Sequence, residues 1–356
     1  MYFLRSNDAG SSWRSKATFS PGLMLFPKDG GCVLYNPKEG KIEKNLGDYP
    51  GCRFLANSGN CFLVLDSGSN LFIKDVFSEK TIDLPPLVSI RPSTMCTLKR
   101  VGDNVFVREH NGHAFTELMS TDSVRGLLWV DESGKDYVVV WFFDVTYEHY
   151  FISFCKNGAT HYTDIPLVFD HESHWMHGLS GMVLHGYRLY ITTFRRYVRI
   201  IDLSEQQQGG LFFKELTEKK PLSILSRHDS SCDSSIAVST SGEVLLFESD
   251  PCNRSIFRLY KYNLDLEDPY SSGHTVLEKD SLGGEALLLD MDFTVPANDS
   301  LGIEPDSIYF TRHYRPCHCT PRDLDICVFN LATKTLKRFP DLDDMNLIDA
   351  LWFLPG

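Results

Sequence analysis

The sequence predicts an all-β chain built from one repeated unit. Two observations carry this: short apolar runs separated by turn residues along most of the length, and a hairpin pattern that returns at a near-constant interval. The runs are rich in Val, Ile, Phe, Tyr and Leu, which fit a pleated, half-buried surface. In order they are Cys61–Asp66, Leu71–Val76, Tyr137–Asp144, Tyr150–Cys155, Arg188–Phe194, Tyr197–Leu203, Glu243–Glu248, Ile256–Tyr262, Ser307–Thr311 and Ile326–Asn330. Asn111-Gly112, Ser133-Gly134, Asn157-Gly158 and Ser241-Gly242 punctuate them, pairs that tolerate positive φ and close hairpins. Two short stretches, Asp122–Leu128 and Asp343–Leu351, are the best helical candidates.

The repeat is clearest in three segments, Leu34–Ile42, Ile73–Ile82 and Val328–Leu336. Each has an apolar strand end, an Asn or Asp, a polar turn, a Lys and a new strand. The Asn or Asp side chain is suited to bonding the turn backbone. Weaker copies stand at Asp202-Leu203 and Asn263-Leu264, with looser ones at Asn157-Gly158 and Asn111-Gly112. Positions 36, 75, 111, 157, 202, 263 and 330 are spaced by about 49 residues on average, which suits a four-stranded propeller blade of about 40 to 50 residues. The expectation is a single β-propeller of seven blades, or six if Asn111-Gly112 is only a loop. It occupies residues 21–356, after an N-terminal segment of residues 1–20. A pair of β-sandwiches would show a polar linker near the middle, and the nearest candidate, Glu205–Gly210, is short.

Composition narrows the function. A chain of 356 residues with 42% apolar and 23% charged residues can bury a sizeable core. A net charge of −12 argues against nucleic acid as a partner, because phosphate binding needs a basic face. The basic stretch Arg195, Arg196 and Arg199 reads as the solvated side of a strand. The longest apolar run, Tyr137–Phe143, is too short to span a bilayer, so no membrane is expected. The ten cysteines are scattered, several inside apolar stretches such as Cys61 and Cys155, as suits buried thiols in a reducing compartment. Cytoplasm or nucleus is the expected location. The sequons at Asn253 and Asn298 are read as chance matches.

Candidate chemistry is sparse. His313, Cys317, His318, Cys319 and Cys327 form the densest set of zinc-type ligands. Cys317 and Cys319 are one residue apart, closer than the usual spacing of a structural zinc pair. The set reads as an irregular loop with incidental thiols. His171, His174 and His177, beside Trp175, read as a loop that suits partner contact. Gly283-Gly284 fits a turn better than a phosphate loop, and the pairs Asp290/Asp292 and Asp343/Asp344 read as turn residues. No nucleophile elbow or zinc-protease motif is present. The sequence therefore predicts no enzyme, no cofactor, no metal and no catalytic residue.

Several segments resemble the plant F-box proteins that carry a KIB-type β-propeller, in their expanded mustard-family branch. The resemblance lies in Ser20–Pro27, Leu34–Pro37, Arg53–Gly59, Asp75–Ser78, Ile82–Leu87, Ser241–Leu246, Ser307–Thr311 and Leu351–Phe353. It implies a propeller that holds a protein target within a Skp–cullin–F-box ubiquitin ligase, with a Skp adaptor held by the F-box. Ser11–Ser15 looks like the last turn of an F-box whose earlier part is missing, which leaves adaptor binding in question. Residues 1–20, with Arg5, Arg14, Lys16 and five serines, admit an alternative: a transit peptide that takes the chain to mitochondrion or plastid.

Overall fold

A computed structural model describes residues 20–28, 31–91, 96–110, 116–144, 150–167, 179–193, 198–204, 214–215, 233–249, 257–262, 276–289, 293–312, 324–342 and 345–354. In chain order the strands begin with β1 (Gly22–Pro27), β2 (Cys32–Asn36), β3 (Lys41–Gly47), β4 (Arg53–Ser58), β5 (Cys61–Leu65), β6 (Leu71–Asp75) and β7 (Thr81–Asp83). Next come β8 (Cys96–Arg100), β9 (Val105–His110), β10 (Thr116–Ser120), β11 (Val124–Val130), β12 (Tyr137–Phe143), β13 (Tyr150–Lys156) and β14 (Thr163–Leu167). β15 (Leu179–His185), β16 (Arg188–Thr193), β17 (Val198–Asp202), β18 (Lys214–Glu215), β19 (Asp233–Val238), β20 (Val244–Ser249), β21 (Phe257–Tyr262) and β22 (Val276–Lys279) follow. The chain ends with β23 (Glu285–Leu288), β24 (Phe293–Pro296), β25 (Ser307–Arg312), β26 (Leu324–Asn330), β27 (Thr335–Arg338) and β28 (Leu347–Phe353).

The architecture is a β-propeller. Strands β4–β7, β11–β14 and β15–β18 each form an antiparallel four-stranded sheet in sequence order. A fourth sheet, ordered β28-β1-β2-β3, closes the ring by pairing the last strand with the first, from Gly22 opposite Phe353 to Pro27 opposite Leu347. Strands β19–β22 and β23–β27 run together as one nine-stranded sheet, joined where β24 lies parallel to β19 and β23 parallel to β25. All ten strands expected above are present, with ends that differ by two residues at most.

β4 is bonded to the sheets on both sides of it. The Arg53 guanidinium at the start of β4 donates to Thr121 O at 2.6 Å and Val124 O at 3.2 Å, beside the start of β11. At the other end, Val130 N–H donates to Ser58 Oγ at 3.0 Å. Asn57 Nδ2 donates to Trp352 O at 3.2 Å, tying β4 to β28. β12 is covered on both faces, with Val139 and Trp141 in one apolar cluster and Val138 and Val140 in another, so it reads as a continuous apolar run without alternation.

Two glycines permit the close approach near the axis. A Cβ on Gly126 of β11 would lie 2.5 Å from Leu63 Cδ2. One on Gly181 of β15 would lie 3.1 Å from Ile236 N and 3.3 Å from Ser235 Cα, both backbone atoms of β19.

The three-stranded sheet β10-β9-β8 departs from the repeat. It packs Leu98, Phe106 and Met119 into the core shared with Leu63, Leu71, Val124 and Trp141. Its other side leaves Val105 and Leu118 exposed. Arg100 Nη1 donates to Gly68 O at 2.9 Å and Ser69 Oγ to Asp103 O at 3.0 Å, which seats the sheet on the β5–β6 turn. β4 and β11 are direct neighbours, so this sheet lies outside the inner ring at that point. Asn111-Gly112, the poorest copy of the repeat, falls outside the described residues.

Both helical expectations are corrected. Asp122–Leu128 is a single 3-10 turn, Thr121–Ser123, followed directly by β11. Of Asp343–Leu351, Leu347–Leu351 belong to β28, and Asp343 and Asp344 lie outside the described residues. In each case pairing with a distant strand outweighs a weak local helical preference.

Candidate interaction site

Antiparallel order puts the described repeat turns, at Asn36, Asp75, Asn157, Asp202 and Asn330, at one end of their sheets, where the second-to-last strand passes to the last. There Asn36 Oδ1 accepts from Lys38 N at 2.9 Å and Glu39 N at 3.2 Å. Asp75 Oδ1 accepts from Phe77 N at 2.9 Å and Ser78 N at 3.0 Å. Asp202 Oδ1 accepts from Ser204 N at 2.8 Å, and Asn330 Oδ1 from Ala332 N at 3.0 Å and Thr333 N at 2.9 Å. These are the turn-backbone bonds read from the repeat, and they hold one face of the propeller in fixed form. Asn157 also begins a turn at the end of β13, but its side chain donates to Lys135 O at 2.7 Å instead. Asn263 lies outside the described residues.

Two shallow depressions open on this face. One, of about 230 Å³, lies over the β13–β14 hairpin and is lined by Arg91, Lys156, Asn157, Thr160, His161 and Thr163, among others. The segment after β7 brings Arg91 there: Tyr162 N–H donates to Ser89 O at 2.7 Å and Arg91 N–H to Tyr162 O at 3.0 Å. Lys156 Nζ donates to Leu203 O and Ser204 O, each at 3.1 Å, and lies 5.8 Å from the Tyr187 ring centre. His161 Nδ1 shares a hydrogen bond with Thr160 Oγ1 at 2.9 Å.

The second depression, of about 210 Å³, lies where the chain enters β1. Ser20, Pro21, Lys38, Glu304 and Lys337 are among its lining residues. Lys38 Nζ donates to Ser300 O at 2.7 Å, and Lys337 faces Glu304 at 3.6 Å. Lys337 is therefore paired with a carboxylate, and Lys38 is held by a backbone carbonyl.

The thiols of the described core are inert by environment. Burial pushes Cys32 and Cys155 up to about 12 and Cys61 to about 11, far above the range of a reactive thiolate. Cys327 is fully buried beside Phe310, Phe329 and Leu259. His313, Cys317, His318 and Cys319 lie outside the described residues, as do His171, His174, His177, Arg195 and Arg196. Among the described residues no group of three or more His, Cys, Asp or Glu side chains could hold a metal ion. Arg199 corrects the reading of a solvated basic strand: it is buried on β17, between Val198 and Ile200 of the core. Sheet stacking covers both faces of that strand.

Reasoning from sequence did not find Arg91, Lys156 and His161 as a group, because Arg91 is brought to the hairpin by an isolated bridge between Ile90 and Tyr162. The strand glycines did carry a signal: an isolated glycine inside a strand marks close backbone approach.

The KIB1-4 beta-propeller family model matches residues 34–330. Among curated relatives, an Arabidopsis thaliana protein named F-box protein At5g25290 is 44% identical over 96% of this chain and 87% of its own length. F-box protein At2g14290 of the same plant is 43% identical over 95% of this chain and 85% of its own. F-box protein KIB4, also of Arabidopsis thaliana, is 30% identical over 94% and 84%.

Proposed function

The chain belongs to the KIB1-4 β-propeller family, and from that premise we propose that it is a protein-holding module, the target-binding part of a Skp–cullin–F-box ubiquitin ligase receptor, and not an enzyme. The observation that carries the reading is where the chain joins the ring. β1 begins at Gly22 opposite Phe353, the end of β28, and Ser20 and Pro21 line the depression beside Lys38 on the repeat-turn face. A segment preceding Ser20 therefore connects at that face, and an adaptor-binding unit attached there leaves the opposite face open to a target. A closed propeller offers such a face with little ordering on binding.

The test is co-purification with a plant Skp adaptor. The chain with the complete F-box of a relative appended ahead of residue 20 is expected to bind stoichiometrically. Failure of the extended chain, with its propeller folded, overturns the receptor reading. Cytoplasm or nucleus is the compartment we assign, with mitochondrion or plastid as the alternative. A fluorescent fusion to residues 1–25 decides between them, since import into an organelle removes the first.

A further inference from the structure

We propose that Asn157 is a site of spontaneous modification, deamidation through the backbone of Gly158, and that the change unties one hairpin of the repeat-turn face. Among the repeat turns, the asparagines at 36 and 330 are closed to this chemistry. Asn36 precedes Pro37, which has no N–H to act as a nucleophile. Asn330 precedes Leu331, whose N–H donates to Asp306 O at 2.8 Å. In both, the side-chain oxygen is held by two N–H groups of the turn.

Asn157 differs on each count. Its neighbour is a glycine at φ +77°, a conformation that costs glycine little. A Cβ added to Gly158 would meet no described atom within 4 Å, so the turn has room for a ring. Both residues are exposed and line the depression over the β13–β14 hairpin, where water reaches them. The Gly158 nitrogen, once hydroxide has taken its proton, attacks Asn157 Cγ and closes a succinimide. The Cγ–Nδ2 bond breaks, and the amide leaves as ammonia with a proton from water. Water then opens the ring at either carbonyl, leaving aspartate or isoaspartate at 157. The rate rises with pH, because the deprotonated nitrogen is the nucleophile.

The fold both restrains the reaction and registers it. Asn157 Nδ2 donates to Lys135 O at 2.7 Å, tying the β13–β14 turn to the β11–β12 hairpin. That bond must break before the ring closes. It cannot return, because a carboxylate offers no N–H and repels the carbonyl. Asp136, next to Lys135, accepts from the Tyr187 hydroxyl of the neighbouring sheet, so the lost tie sits beside a contact between two sheets. This inference does not rest on the receptor reading.

The experiment incubates the full chain in neutral and mildly alkaline buffer and maps peptides by mass spectrometry, with isoaspartate counted separately. Asn157 is expected to convert severalfold faster than Asn36 or Asn330, more slowly when folded than in urea, and faster at the higher pH. Asn111-Gly112, the other such pair in the sequence, falls outside the described residues and is read from its own peptide. Asn157→Gln should abolish conversion at this position without unfolding the chain. Asn157→Asp should lower Tm by about 1–2 °C, the effect of one lost hydrogen bond in a domain of this size, and speed amide exchange at Lys135–Tyr137. An Asn157 that lasts as long as Asn330 in the folded chain overturns the modification. Wild-type melting and exchange in Asn157→Asp overturn the untying.

Discussion

Replacing Gly181 by alanine tests how the inner ring is built. The new Cβ would sit 3.1 Å from Ile236 N and 3.3 Å from Ser235 Cα, where carbon atoms normally rest at about 3.5 to 4.0 Å. Both neighbours are backbone atoms of β19, which is itself paired with β20 along six residues. The strands must therefore move apart by several tenths of an ångström. Overpacking of this kind costs about 1–3 kcal/mol. Against it stands a gain of about 0.4–1 kcal/mol from restricting the unfolded chain. The net expectation is a loss of about 1–2 kcal/mol, or a fall in Tm of about 1–3 °C for a domain of this size. Gly102→Ala is the control, because its Cβ meets only Val105 at 3.7 Å, an ordinary contact. It should leave stability unchanged or slightly raised. Thermal and urea unfolding of both variants measure the difference. If Gly181→Ala gains stability as Gly102→Ala does, the close-approach argument is wrong.

Three further outcomes follow from the same structure. Asn330→Ala loses the bonds from Ala332 N and Thr333 N and should lower stability by about 1–2 kcal/mol, seen as an earlier urea midpoint, whereas Asn330→Asp keeps that acceptor but loses the Nδ2 bonds to Pro305 O and Ser307 Oγ and should recover only part of it. Cys32 and Cys155, with thiols pushed up to about 12 by burial, should resist iodoacetamide at neutral pH until the protein unfolds, and peptide mapping will show whether they do. Glu243 is held below the ordinary glutamate value of 4.5, first by its hydrogen bond from Lys261, and further by Lys279 against the opposing effect of burial. Its contribution is therefore complete above pH 4.5 and is lost as pH falls through the lower folded value. Glu243→Gln should flatten the acid limb of the stability profile over that window, and a profile identical to wild type would refute the assignment.

The sequence by itself determined most of the strands and the repeated hairpin. Runs such as Tyr137–Phe143 and Ile326–Asn330 are strand-forming by residue type, and Asn36, Asp75, Asp202 and Asn330 bond the turn backbone two or three residues on. Interactions that short are written in consecutive residues, so they are legible there and survive in the fold. The tertiary structure alone decided the rest. Leu347–Phe353 is a strand only because β1, more than 300 residues away, offers it a partner, and β11 is a strand only beside β12. The three-stranded β8–β10 sheet takes its place from its seat on the β5–β6 turn. Arg91 and Lys156 stand in different segments with no linear motif between them, and both line one depression because Ile90 bridges to Tyr162. A repeat is a local fact repeated, whereas a site depends on which distant residues the packing brings within reach.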